Sequence, residues 1–273
     1  MNRRASKHNQ CRHGDAYYIA PSAPFRRRAR THHMEVSMHI GLIGGIGPAA
    51  TEFYYRNLVK ADQASDGDSR MELTICHAQA SDLIRNIQAG NVDAQVRIFE
   101  VMANRLSAAG AEALAVTSIA GHFCISELKR VSPIPIIDAL SGLESSLIRN
   151  GYTRVGVLGN KVVMETRLFD SFRETEVVVP PGNSLNKVHE AYMSIAVSGA
   201  ANEDQRETIF QAGRKMCDEQ GAQAVVLAGT DLFVAFDGYE CGFKYVDSAL
   251  VHIDAIYRAS METSDNKSRK ADA

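Results

Sequence analysis

The stretch from Ile40 to Tyr55, Ile-Gly-Leu-Ile-Gly-Gly-Ile-Gly-Pro-Ala-Ala-Thr-Glu-Phe-Tyr-Tyr, constrains the fold more than any other part of the chain. Ile40 to Ile43 is a short apolar run without charge, the pattern of a buried parallel strand. Gly44, Gly45 and Gly47 allow a tight turn and a close backbone approach to a ligand. Pro48 suits the first turn of a helix, where its missing N–H costs nothing. Ala50, Phe53, Tyr54 and Leu58 then keep one helix face apolar. A strand, a glycine turn and a helix N-terminus together point backbone N–H groups at an anion. The same pattern also reads as a tight turn with no ligand.

Strand-like runs alternate with helical patterns through the rest of the chain. Strands are expected at about 39–44, 71–77, 112–117, 134–137, 154–159, 175–179, 223–228 and 244–246. Helices are expected at 48–62, 92–109, 121–131, 139–149, 163–173, 184–198, 202–219 and 247–259. Alternating βα units imply parallel sheets with helices on both faces.

A length of 273 residues allows one large or two modest domains. With 45% hydrophobic and 23% charged residues, the composition is that of a globular protein. A net charge of −2 gives no reason to expect nucleic acid or a membrane as partner. Cys11, Cys76, Cys124, Cys217 and Cys241 are odd in number and scattered, with no Cys-x-x-Cys. That argues for reduced thiols and a cytoplasmic location, against a disulfide framework, and for no metal site. Residues 1–37 are rich in arginine and lysine and lack apolar periodicity, so a disordered basic extension is expected there. Met34 and Met38 are alternative starts, and 261–273 reads as a disordered polar tail.

Two later stretches must be read with the first. Ala113-Leu-Ala-Val-Thr-Ser-Ile-Ala-Gly-His-Phe123 and Ala224-Val-Val-Leu-Ala-Gly-Thr-Asp-Leu232 each run from an apolar strand into a small polar turn. Together with Gly44-Gly45-Ile46-Gly47-Pro48 they resemble the aspartate/glutamate racemase superfamily, also called the Asp/Glu/hydantoin racemase family. Pro133-Ile-Pro-Ile-Ile-Asp138, Arg154-Val-Gly-Val-Leu-Gly159 and Asp247-Ser-Ala-Leu-Val-His252 add to the likeness, which runs from about Met38 to Ala259. The resemblance implies an α/β fold of two pseudo-symmetric doubly wound parallel-sheet domains facing each other across a cleft. It places the first domain at 38–137 plus 233–260 and the second at 138–232. It implies an isomerase by class, with no cofactor and with a small amino acid or carboxylate as partner. A homodimer is left open.

The family turns carry two cysteines that act as acid and base on opposite faces of an amino-acid α-carbon. Here Ser118 stands at the first cysteine position and Gly229 at the second. Conventional two-thiol racemization is therefore not expected. The catalytic candidates are Ser118, His122 one helical turn further on, and Asp231. Ser118 also reads as a helix N-cap, His122 as a packing or capping residue, and Asp231 as a carboxylate favoured at a helix start. The substrate-binding candidates are Gly45, Ile46, Gly47, Thr117, Ile119, Thr230 and Lys187. Cys76 and His77, which end the second strand, could supply a relocated base or belong to the core. Arg85, like Lys187, lies near a family cation without matching its position. A lyase or decarboxylase, or a non-catalytic binding protein on the same scaffold, are the competing readings.

Overall fold

The computed structural model describes residues 37–64 and 71–261. The expected basic extension and polar tail lie almost wholly outside these described residues. β1 (Ile40–Gly44) leads through the glycine turn into α1 (Pro48–Gln63). β2 (Leu73–His77), α2 (Ala80–Gln88), α3 (Val92–Ala108) and β3 (Ala113–Val116) follow. A 3₁₀ turn at Ala120–Cys124 then runs into α4 (Ile125–Val131) and α5 (Ala139–Arg149). The second half holds β4 (Arg154–Leu158), α6 (Lys161–Glu165), β5 (Glu176–Val178), α7 (Asn183–Ser198) and α8 (Glu203–Gln220). It ends with β6 (Ala224–Leu227), α9 (Phe233–Phe236), β7 (Tyr245–Asp247) and α10 (Ser248–Ser260).

All strand pairings are parallel, in two sheets ordered β2-β1-β3 and β5-β4-β6-β7. Ile136 extends the first sheet through a single parallel bridge to Leu114. Pro133 and Pro135 lack the N–H groups that a longer strand would donate there. With that bridge counted, both sheets have the same strand order, which is the pseudo-symmetry expected from the sequence. The first sheet is covered on one face by α1 and α10, around Tyr54, Leu58, Ala249, Ile253 and Ile256. Its other face packs on α3 and α4 through Phe99, Leu106 and Leu128.

Two helices cross between the units. α5 follows the first sheet, yet Leu143 and Leu147 pack into the second core with Val155 and Val157. α10 follows the second sheet and packs on the first. Each is capped by an aspartate: Asp138 accepts from the Leu140 N–H at 2.8 Å, and Asp247 from the Ala249 N–H at 2.8 Å. The sequence put the return to the first unit at Phe233. β7 instead pairs with β6, and Ala235 and Phe236 stay in the second core, so the return comes only with α10.

The helix expected at 163–173 ends at Glu165. Arg167, Leu168, Phe169 and Asp170 adopt positive φ of 48°, 59°, 60° and 51°. The Thr166 hydroxyl accepts the Phe169 N–H at 3.1 Å and donates to the Val162 carbonyl at 2.7 Å, a local alternative to helical bonding. The turn buries Leu168 completely. α2 and α9 were not anticipated.

Candidate functional site

The carboxyl ends of β1, β3 and β6 meet where the two units face each other. Three contacts across long sequence separations fix this meeting. Asp231 Oδ1 accepts the Ala50 N–H at 2.9 Å. Thr230 donates its hydroxyl to the Thr117 carbonyl at 3.4 Å. Phe53 of α1 stacks on Phe233 of α9 with centroids 4.1 Å apart.

The glycine turn is as tight as its sequence suggests. Gly45 has φ of +84°, and a Cβ on it would stand 2.3 Å from His77 Nδ1 and 2.6 Å from the Ala78 carbonyl oxygen. Its N–H donates to Thr51 Oγ1 at 2.8 Å, and that hydroxyl also donates to the Gly47 carbonyl at 3.0 Å. A Cβ on Gly47 would lie 2.6 Å from Asp231 Oδ2. The helix N-terminus therefore has an anion beside it already, and that anion is the chain's own Asp231. Gly45→Val is expected to disrupt this turn, because it adds a backbone collision to an unfavourable φ. A fall in melting temperature of several degrees is expected, with a loss of about 2 kcal/mol or more. A variant that melts with the parent would show that the turn can open at little cost.

Asp231 is 2% exposed. Burial pushes its carboxyl up to about 6, against the opposing pull of the Ala50 N–H and the Tyr192 hydroxyl. Tyr192 comes from α7 and lies beside Asp231; burial first, and then this carboxylate, hold its phenol well above its ordinary value. Its ring fills the space beside Gly229: a Cβ there would stand 2.3 Å from Tyr192 Cε2. The volume that any side chain at position 229 would need is thus taken by a tyrosine. The sequence reading missed Tyr192 because it sits on the apolar stripe of α7 with Val188, Ala191 and Ile195, which reads as core. The glycine at position 229, at the end of the Ala224–Ala228 run, was the available signal.

Ser118 is buried, and its Oγ accepts the Gly121 N–H at 3.4 Å in the 3₁₀ turn. His122 does not face that hydroxyl with a free nitrogen. Its Nε2 accepts the Ala139 N–H at 3.2 Å, so the proton is on Nδ1, which donates to the Ser118 carbonyl at 2.7 Å. Burial lowers its basicity further, although Asp138 opposes this. His252 is engaged in the same way: Nε2–H donates to the Ile137 carbonyl at 2.8 Å, and Nδ1 accepts from the Tyr54 hydroxyl at 3.0 Å. Burial, followed by the neighbouring His122, brings His252 down to about 3. Both imidazoles are neutral fasteners at the crossing of the two units.

Thr117, Thr230, Gly45 and Gly47 belong to this cluster. Ile46 is part-buried in the turn, against the core of the first unit. Ile119 points into the second core. Lys187 is exposed on α7, and Arg85 pairs with Asp82 at 2.6 Å on the surface. Cys124 is core, its thiol pushed up to about 12 by burial. Cys217 and Cys241 are likewise raised by burial. His77 lines a cavity of about 270 Å³ on the outer side of the glycine turn, with Gly45, Pro48, Thr51, Glu52, Tyr55 and Ile75. Among the described residues no group of three metal-ligating side chains occurs. No described helix is long and apolar enough to cross a membrane.

Two parallel-sheet units meet at their strands' carboxyl ends, with α5 and α10 exchanged between them. The profile of the Asp/Glu/hydantoin racemase family matches residues 43–256, and the chain belongs to that family. Among solved structures it is similar to an aspartate racemase homologue from Pyrococcus horikoshii, at 24% identity and a TM-score of 0.67, over 81% of this chain and 99% of that one. It is similar to the aspartate racemase of Picrophilus torridus at 17% identity and a TM-score of 0.64, over 84% and 97% of the two chains. The glutamate racemase of Francisella tularensis, solved with D-glutamate, matches at 14% identity and a TM-score of 0.57, over 85% of this chain and 82% of that one. At these identities the likeness concerns the fold.

Proposed function

We propose that this protein carries out a proton transfer on a small amino acid or carboxylate, using Asp231 with Tyr192 in place of the family's thiol chemistry. The observation that carries the reading is the buried Asp231–Tyr192 pair beside Gly229. A carboxyl raised to about 6 is close to the working range of a general acid or base. Tyr192 holds its orientation and can pass a hydrogen bond to a reacting group. Ser118 lies in the opposing turn and offers a hydroxyl without a partnered base, so the geometry supports one acid/base pair and not two. One pair suits proton exchange at a single face, as in a one-base isomerization or the protonation step of a lyase.

A non-catalytic binding role is favoured by one observation: Thr117, Ser118, Tyr192, Thr230 and Asp231 are all buried. The units would have to part for a ligand to reach them. Exchange of α-protons in D₂O, followed by NMR for both enantiomers of a panel of amino acids, decides between the two. Exchange from one enantiomer of a pair is expected, and Asp231→Asn should slow it by about 10²–10⁴-fold. No exchange from any compound, with ligands still bound, would leave the binding role. Exchange unaltered by Asp231→Asn would remove the assigned base.

A further inference from the structure

The outer face of α1 and the edge of β2 form a surface that the fold leaves uncovered. Among the described residues β2 pairs with β1 alone. Ile75 on that strand is 42% exposed, and Tyr55 on α1 is 50% exposed. Both side chains line the cavity of about 270 Å³ on the outer side of the glycine turn. The corresponding edge strand of the second unit is shielded. On β5, Val177 and Val178 are each 8% exposed, and the Gln220 side chain donates to the Val179 carbonyl at 3.1 Å. Two units with one strand order thus differ at this edge. An edge strand with apolar side chains in the open is a template for association with another chain unless it is covered. Shape and charge say what covers it here. The Tyr55 ring borders a hollow whose wall includes Pro48 and Ile75, so a two-fold rotation can set each ring over the other copy's hollow. Beside Tyr55, Arg56 and Glu52 lie one helical turn apart, paired with each other at 2.5 Å, with side chains 52% and 69% exposed. The same rotation sets Arg56 of each copy against Glu52 of the other. A patch that is both knob and hollow, and both positive and negative, is complementary to itself rather than to a partner of one charge.

We infer that this face joins two copies of the chain in a two-fold dimer, with Tyr55 of each copy seated over the cavity of the other. The Tyr55 rings and Ile75 side chains then bury apolar surface that each monomer leaves in water. A tyrosine at the centre of such a contact carries a large share of its energy. Glu52 and Arg56 exchange an exposed pair within one helix, worth little by itself, for two pairs between copies. Gly45 and Thr51 line the same cavity, so the seated ring backs the glycine turn from outside. Neither Tyr55 nor Ile75 takes part in the reaction proposed above.

The test is sedimentation velocity of the full chain at about 1 to 200 μM, the range in which small interfaces associate. A dimer is expected. Tyr55→Lys should weaken it by about 100-fold or more, because the loss is incurred in both copies. Val197→Lys, at an 83% exposed position on α7, should leave it unchanged. Glu52→Arg and Arg56→Glu should each weaken self-association by about tenfold or more, since like charges then meet across the two-fold axis. Mixing these two variants should restore a dimer, and so should combining both changes in one chain. Circular dichroism at the lowest concentration checks that each variant is folded, as its exposed position leads one to expect. A parent that stays monomeric throughout would overturn the inference. So would a dimer that survives Tyr55→Lys, one that Val197→Lys dissociates, or charge variants that do not recover on mixing.

Discussion

Gly229→Cys is expected to destabilise the protein and to add no proton-transfer activity. The new Cβ would stand 2.3 Å from Tyr192 Cε2 and 2.7 Å from Cζ, well inside van der Waals contact. The ring is 7% exposed and packed in the second core, so it cannot swing aside without disturbing that packing. Forcing extra atoms into such packing costs about 1–3 kcal/mol. Tyr192→Ala alone should cost about 3–5 kcal/mol, as for other buried aromatic rings. The thiol of the double variant would occupy part of the vacated space, so the two losses should not add. A coupling of about 1–3 kcal/mol is expected from urea unfolding of the parent, both single variants and the double. Strict additivity would mean that residues 192 and 229 do not compete for one volume. The same reasoning applies to placing a thiol in each of the two turns. Ser118→Cys with Gly229→Cys should gain α-proton exchange only when Tyr192 is also shortened. A gain with Tyr192 intact would show that the ring yields.

The fold was legible because its signals are local. The apolar runs at Ile40, Ala113, Arg154 and Ala224, each followed by a turn and a helical pattern, are enough to predict parallel sheets. The order of the strands within each sheet came only with the structure. Arg167–Asp170 was not legible, because helical periodicity continues through Leu168 and Phe169 while a threonine hydroxyl diverts the backbone. β7 was misplaced because three residues carry too little pattern to show which sheet they join. At the site, Asp231 and Thr230 could be named from the turn motif. Their partners could not, since Ala50 lies 181 residues away and Thr117 lies 113 residues away. The glycine turn shows the limit most clearly. Its sequence announces room for an anion, and nothing local says that the anion is a side chain from the other unit.

Asp231→Asn is expected to stabilise the protein at pH 8 and to do nothing below about pH 4. The carboxyl titrates at about 6 in the folded chain, against an ordinary value of 3.8. Between these values the unfolded chain has lost the proton and the folded chain keeps it, so folding takes up a proton. Stability from this group is therefore complete below the unfolded value and is lost as pH rises through about 6. Above that range the folded protein holds an ionised carboxylate that burial disfavours. The shift corresponds to about 3 kcal/mol at 1.36 kcal/mol per unit. Asparagine removes the charge and keeps the shape, still accepting the Ala50 N–H through its oxygen. The difference between variant and parent should grow from near zero at pH 4 to about 3 kcal/mol at pH 8 in chemical unfolding. Asp247 is also raised to about 6 by burial, so the parent's own decline includes a share from that residue. The difference between the two proteins isolates Asp231. An Asp231→Asn protein less stable than the parent at pH 8 would mean that the ionised carboxylate is welcome where it sits, held by donors stronger than one N–H and one hydroxyl. The same result would remove the physical basis for its acid/base role near neutrality.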